Sequence, residues 1–203
     1  MSKEDKRIIF ATKNMGKIRE IKDALKDSGY EVLSLNDIDD NIEIVEDGTT
    51  FEENAIIKAK KIMELTNTMV LADDSGLEVD YLDKAPGIYS ARYLGEDTPQ
   101  EVKNKHIIEC LEGVEEENRT ARFVCCMACV NTDGTTFTVR GTIEGTIAKE
   151  CSGNNGFGYD PIFNVPKYNK TMAQLSLSEK NEISHRARAL SLLKDKLTEL
   201  GLI

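Results

Sequence analysis

The chain has 203 residues, enough for one or two domains with a substantial core, and its 40% hydrophobic and 31% charged content is that of an ordinary globular protein. A net charge of −10 argues against DNA or bulk RNA as partners, because proteins that bind such polyanions carry basic surfaces. No apolar run reaches ~18 residues, so no transmembrane helix and no membrane partner are expected. The charged opening Met1-Ser2-Lys3-Glu4-Asp5-Lys6-Arg7 lacks a signal-peptide core, which makes the cytoplasm the default location.

In chain order, Arg7 to Thr12 predicts a buried strand. Asn14 follows as a helix N-cap, and Ile18, Ile21 and Leu25 recur at helical spacing until Ser28-Gly29. Glu31 to Leu35 completes a β-α-β unit, and the acidic stretch 37–47 reads as a loop. Thr49 or Thr50 caps a second helix, with Glu52 and Glu53 near its positive end and Ala55, Ala59 and Ile62 on its apolar face.

Met69 to Ala72 predicts a buried strand that delivers Asp73 and Asp74 to its exposed C-terminal edge, ahead of Ser75-Gly76. Leu77 to Tyr81 alternates as a further strand. Pro86-Gly87 marks a turn or short helix, and Thr98-Pro99 opens another helix carrying Ile107, Ile108 and Leu111. Arg119 to Thr132, the Asp133-Gly134 turn and Thr135 to Gly141 predict a hairpin, extended by 142–149. Ser176 to Leu200 predicts one final amphipathic helix. The pattern as a whole is a mixed-sheet α/β fold forming one domain over 1–203, with no repeat or linker.

Five cysteines without a secretory signal do not point to a disulfide framework. Cys126-Met127-Ala128-Cys129 has C-x-x-C spacing, but it lies in a predicted strand with no second pair to complete a zinc site. Free thiols packed in a sheet are the better reading.

Three segments carry chemistry. The first βα turn, Thr12-Lys13-Asn14-Met15-Gly16-Lys17, offers helix N-terminal N–H groups, two lysines and two polar side chains to an anion, although it is neither a Walker A loop nor a G-x-G-x-x-G fingerprint. Adjacent Asp73 and Asp74 call for a positive neighbour, since two carboxylates are costly to bury without one, and oxygen donors of this kind suit Mg²⁺. The loop Gly153 to Pro161 is rich in glycine and carries Phe157 and Tyr159. An aromatic here can stack on a base, but by itself the segment reads as a tight turn that returns Phe157 to the core. Lys180, His185 and Arg186 in the last predicted helix supply donors for a base carbonyl or a phosphate.

Taken together, these segments match one family in order and spelling. The stretches FATKNMGKIRE from Phe10, GTTFEENAIIKA from Gly48, ADDSG from Ala72, APGIYSARY from Ala85, GFGYDPIF from Gly156 and EKNEISHR from Glu179 resemble the RdgB/ITPase family of noncanonical purine nucleoside triphosphate pyrophosphatases. Lys13, Gln174 and Ala187 depart from its commonest residues. The resemblance implies an ITPase-like, Maf-like fold of two lobes with the active site in the cleft between them. It also implies a homodimer and Mg²⁺-dependent hydrolysis of the nucleoside triphosphates ITP, dITP and XTP to monophosphate and pyrophosphate.

In the same reading Asp74 is the general base and a metal ligand, Glu46 is the second metal ligand, and Lys17 and Lys58 are catalytic cations facing phosphate. Residues Thr12 to Lys17 and Ser75 bind the phosphates, and Asp73 orients its neighbours. Phe157, Gly158, Tyr159 and Asp160, with Lys180, His185 and Arg186, bind the base. A 6-keto purine offers an acceptor where adenine offers a donor, so a cationic donor such as Arg186 discriminates between them.

Overall fold

Strand β1 (Arg7–Phe10) leads through the Asn14-capped helix α1 (Met15–Ala24) to β2 (Glu31–Ser34), which lies parallel to β1. The computed structural model describes residues 6–38, 42 and 44–203, so part of the expected acidic loop over 37–47 lies outside the described residues. A single turn, α2 (Leu35–Ile38), follows β2, and α3 (Phe51–Thr66) begins after Thr50, whose hydroxyl accepts the Glu53 N–H at 3.1 Å.

Strand β3 (Met69–Val79) returns parallel to β1, with Phe10 opposite Leu71. Helix α4 (Gln100–Cys110), β4 (Thr120–Val130), β5 (Thr136–Ile147), β6 (Phe163–Val165), β7 (Lys170–Thr171), α5 (Leu177–Ile183) and α6 (His185–Glu199) complete the chain. The seven strands form one mixed sheet in the order β2-β1-β3-β4-β5-β6-β7. The α/β class read from the sequence is therefore correct.

The chain falls into two compact units. The first comprises Met1–Asp74, Cys125–Gly141 and Arg188–Ile203; the second comprises Ser75–Val124 and Thr142–Ala187. In the first unit the period-2 alternation of strands sorts side chains between two faces. Ile8, Phe10, Met69 and Leu71 pack with Ile21, Leu25, Leu193 and Leu197 of α1 and α6 and their flanks. Ile9, Val70 and Ala72 pack with Ala55, Ala59 and Ile62 of α3. Both faces are covered, which explains why these strands read as continuous apolar runs. In the second unit Leu77, Val79, Phe123, Ile147 and Phe163 build a core with Ile107 and Leu111.

Two expectations about the course of these elements are overturned. Asp73 and Asp74 do not sit at an exposed strand end: β3 runs on through them to Val79, and they are only 2% and 8% exposed. The final segment is not one helix. Ser184 is extended (φ −63°, ψ 151°) between α5 and α6, and its hydroxyl accepts the Ala187 N–H at 3.1 Å to cap the second helix.

No helix among the described residues is long and apolar enough to cross a membrane. None of the five cysteines is in a disulfide. Cys125, Cys126 and Cys129 are buried, and burial pushes the Cys129 thiol up to about 12, which leaves it protonated and inert near neutral pH.

Candidate active site

In a sheet ordered β2-β1-β3, the chain leaves β1 through α1 on one face to reach β2 and returns through α3 on the other face to β3, so the crevice beyond the C-terminal ends of β1 and β3 is a natural ligand position. The β1–α1 turn occupies this point. Asn14 Oδ1 accepts the Gly16 and Lys17 N–H groups at 2.9 and 3.2 Å, and the Asn14 N–H donates to Thr12 Oγ1 at 3.2 Å. Lys13, Asn14, Met15 and Gly16 are exposed and Thr12 is half-buried, so the turn is accessible.

Because β1 and β3 pair through Phe10 and Leu71, the next residues of β3 carry their carboxylates alongside this turn. Lys17 Nζ reaches Asp73 Oδ2 at 2.7 Å. One strand position on, Asp74 meets the face of α3. Lys58 Nζ stands 3.7 Å from Asp74 Oδ1 and 3.2 Å from Glu46 Oε1. Asn54, one helical turn before Lys58, donates from Nδ2 to Asp74 Oδ2 at 3.1 Å. Burial pushes the Asp74 carboxyl above the ordinary carboxylate range. The Glu46 and Asp73 charges push the same way, while Lys58 and the Asn54 hydrogen bond oppose them. A carboxylate raised in this manner is suited to accept a proton.

The structure thus gathers Lys17, Glu46, Lys58, Asp73 and Asp74 in the first unit. Ser75 follows Asp74 on β3 and belongs to the second unit. Asn54 was not singled out from the sequence. The available signal was a polar residue four positions before Lys58, on the helix face that otherwise carries Ala55, Ala59 and Ile62.

The second cluster lies wholly in the second unit. Phe157 does not return to the core; the residue is 60% exposed, with Lys180 Nζ 4.9 Å and Arg186 Cζ 5.9 Å from the ring centroid. Asp160 fixes this loop. Its Oδ2 accepts the Phe157 N–H at 2.9 Å and pairs with Lys180 Nζ at 2.5 Å. Gly156 (φ +79°) has no room for a Cβ beside that carboxylate, so glycine is required there. His185 is buried and stacks on Phe123 with ring centroids 5.0 Å apart. Gly158 O accepts from Asn104 Nδ2 at 3.1 Å, while Tyr159 turns inward and donates its hydroxyl to Ser90 O at 2.8 Å. An exposed ring beside two cations is a surface on which a flat, electron-rich base can stack.

Residues 8–196 match the Ham1 family. The chain belongs to that family. It is 53% identical over 194 residues to a dITP/XTP pyrophosphatase of Bacillus licheniformis, covering 96% of this chain and 99% of the relative. A dITP/XTP pyrophosphatase of Bacillus subtilis is 50% identical over 192 residues, 95% of this chain and 97% of that one. Among solved structures, the Staphylococcus aureus Ham1 protein superposes with a TM-score of 0.90 at 44% identity, covering 96% of this chain and 99% of that chain. A Mycobacterium abscessus protein described as a nucleoside-triphosphatase and dITP/XTP pyrophosphatase gives 0.79 at 39% identity, covering 92% and 98%.

Proposed function

We propose that this chain hydrolyses noncanonical purine nucleoside triphosphates, with dITP, ITP and XTP as substrates, to the monophosphate and pyrophosphate. The observation that carries the reading is the Glu46–Lys58–Asp74 group beside an exposed helix N-terminus, in a member of a family whose relatives are named for this activity. A raised, buried carboxylate next to a lysine can take a proton from water while the lysine faces phosphate charge.

The reaction then divides among the residues as follows. The N–H groups of the β1–α1 turn and Lys17 hold the polyphosphate. Asp74 Oδ1 accepts a proton as water attacks the α-phosphorus, the α–β anhydride breaks, and pyrophosphate leaves with its charge opposed by the lysines. Charge spread over phosphoryl oxygens makes this positioning the main catalytic resource. Phe157 takes one face of the base, and Arg186 donates to its 6-keto oxygen.

Mg²⁺ belongs to the proposal. Among the described residues no three histidine, cysteine or acidic side chains form a metal-holding group. The two carboxylates of Glu46 and Asp74 nevertheless fit a hard ion that is commonly held by one or two carboxylates plus substrate phosphates. Such an ion would supply charge neutralisation at the phosphates and a polarised water. A cytoplasmic homodimer completes the proposal, in line with the family resemblance.

The test is a panel of nucleoside triphosphates with Mg²⁺, scoring pyrophosphate against orthophosphate. Rapid pyrophosphate release from dITP and XTP, with little from ATP, supports the reading. Binding of dITP without turnover would make the chain a nucleotide-binding module and overturn it.

A further inference from the structure

We propose that Asn54 is a positioning residue for this reaction: its amide selects which oxygen of Asp74 is offered to the reacting centre and ties that choice to the loop carrying Glu46. The inference rests on the functional reading above.

Asparagine is a poor helix former, yet Asn54 sits in the second turn of α3 with no exposure at all. A buried amide is costly unless its polar atoms are satisfied, and both ends of this one are. Oδ1 accepts the Gly48 N–H at 2.9 Å, and Nδ2 donates to Asp74 Oδ2 at 3.1 Å. Turning the amide over would set a donor against the Gly48 N–H and an acceptor against a carboxylate. The two partners therefore fix its orientation.

The consequence falls on Asp74. Its Oδ2 is held by Asn54, and its Oδ1 is the oxygen beside Lys58, which also reaches Glu46. The carboxylate is thereby held about its terminal torsion, with Oδ2 on the Asn54 amide and Oδ1 on the Lys58 side. The same amide anchors residue 48, two positions beyond Glu46. Gly48 is built for that close approach: a Cβ there would stand 2.7 Å from Asn54 Oδ1 and 2.8 Å from Glu53 Cβ. One side chain thus sets the geometry of the base and of its companion carboxylate together.

The discriminating variant is Asn54→Asp, which keeps an acceptor for the Gly48 N–H and replaces the amide donor to Asp74 with a second carboxyl. Asn54→Leu, of similar volume, removes both bonds. Each is compared with the wild type for dITP hydrolysis, by kcat and KM separately, and for thermal unfolding, with rates normalised to the folded fraction. For Asn54→Asp the expected result is a fall in kcat of ~100-fold or more after normalisation, the scale of a misplaced catalytic group, with KM within ~3-fold of wild type, and a lowered Tm because a second buried carboxyl stands beside Asp74. Retained kcat, or a loss that follows Tm with kcat and KM changing together, would make Asn54 a structural residue and overturn the proposal. Should Asn54→Asp not fold, Asn54→Leu is judged by the same kcat-against-KM criterion. A wild type that fails to hydrolyse dITP would count against the functional reading itself, whereas an active wild type with an equally active Asn54→Asp counts against Asn54 alone.

Discussion

Lys17 Nζ lies 2.7 Å from Asp73 Oδ2, an ion pair joining the first turn of α1 to β3 with its carboxylate almost fully buried. The buried anion holds the lysine at the mouth of the β1–α1 turn. A lysine has costly side-chain freedom, so holding it in advance lowers the entropy lost when phosphate arrives.

If Lys17 acts through this tether, Asp73→Asn and Lys17→Ala are not independent. Each should lower kcat/KM for dITP, and the double variant should be little worse than Lys17→Ala alone. A double-mutant cycle measures this; losses that simply multiply would show that the pair is not coupled.

Asp74→Asn should nearly abolish turnover, by at least the ~10²- to 10⁴-fold typical of a lost general base. Its effect on stability has a definite sign. Burial raises the Asp74 pKa, so the ionised form is the one that weighs against folding. The group's contribution is most favourable below the ordinary carboxylate range and is lost as pH rises through the raised value. Asparagine escapes that loss. The Tm of Asp74→Asn relative to wild type should therefore rise between about pH 4 and pH 7. A relative Tm that falls over this interval would contradict the burial argument.

Lys58 Nζ stands between Glu46 and Asp74, where a divalent cation held by both carboxylates would compete with it. Lys58→Met should bind Mn²⁺ more tightly than wild type without nucleotide, by ~10-fold or more, since one buried charge-assisted contact is worth ~1.5–3 kcal/mol. Electron paramagnetic resonance of free Mn²⁺ reads this directly, and kcat should fall in the same variant. Unchanged or weaker Mn²⁺ binding would remove Lys58 from the metal position.

Arg186→Ala should lower kcat/KM for ITP by ~10- to 150-fold and alter ATP far less, because a charged donor serves a keto oxygen and not an amino group. Phe157→Ala should depress both nucleotides, at ~1–3 kcal/mol per lost stack. Lys17→Ala should also affect both alike, since it addresses phosphate. The measurement is the ITP-to-ATP ratio of kcat/KM in each variant. A ratio unchanged in Arg186→Ala would move selectivity to His185 or to the Phe157–Asp160 loop.

The parts of the fold set by local chemistry were legible in the sequence. Asn14 and Thr50 cap their helices as their side chains dictate, and Ile18, Ile21, Ala55, Ala59 and Ile62 are buried as their spacing requires. What was not legible depended on tertiary pairing or on a single backbone angle. Asp73-Asp74-Ser75-Gly76 carries turn chemistry, but sheet pairing carries β3 straight through it. Ser184 interrupts an apparently continuous amphipathic pattern because its hydroxyl caps α6. Phe157 stays exposed because Asp160, three residues on, binds its N–H while also pairing with Lys180, and the second contact spans twenty residues with no local signature. Asn54 escaped notice because its two partners are six and twenty residues away.

The central claim is attack of water at the α-phosphorus by way of Asp74. Hydrolysis of dITP in ¹⁸O-labelled water, followed by phosphorus NMR, tests it most directly. The account predicts pyrophosphate as the leaving product, free of label, with one ¹⁸O on the deoxyinosine monophosphate. Label in the pyrophosphate would place attack at the β-phosphorus, and release of orthophosphate would place cleavage at the β–γ anhydride; either contradicts the account.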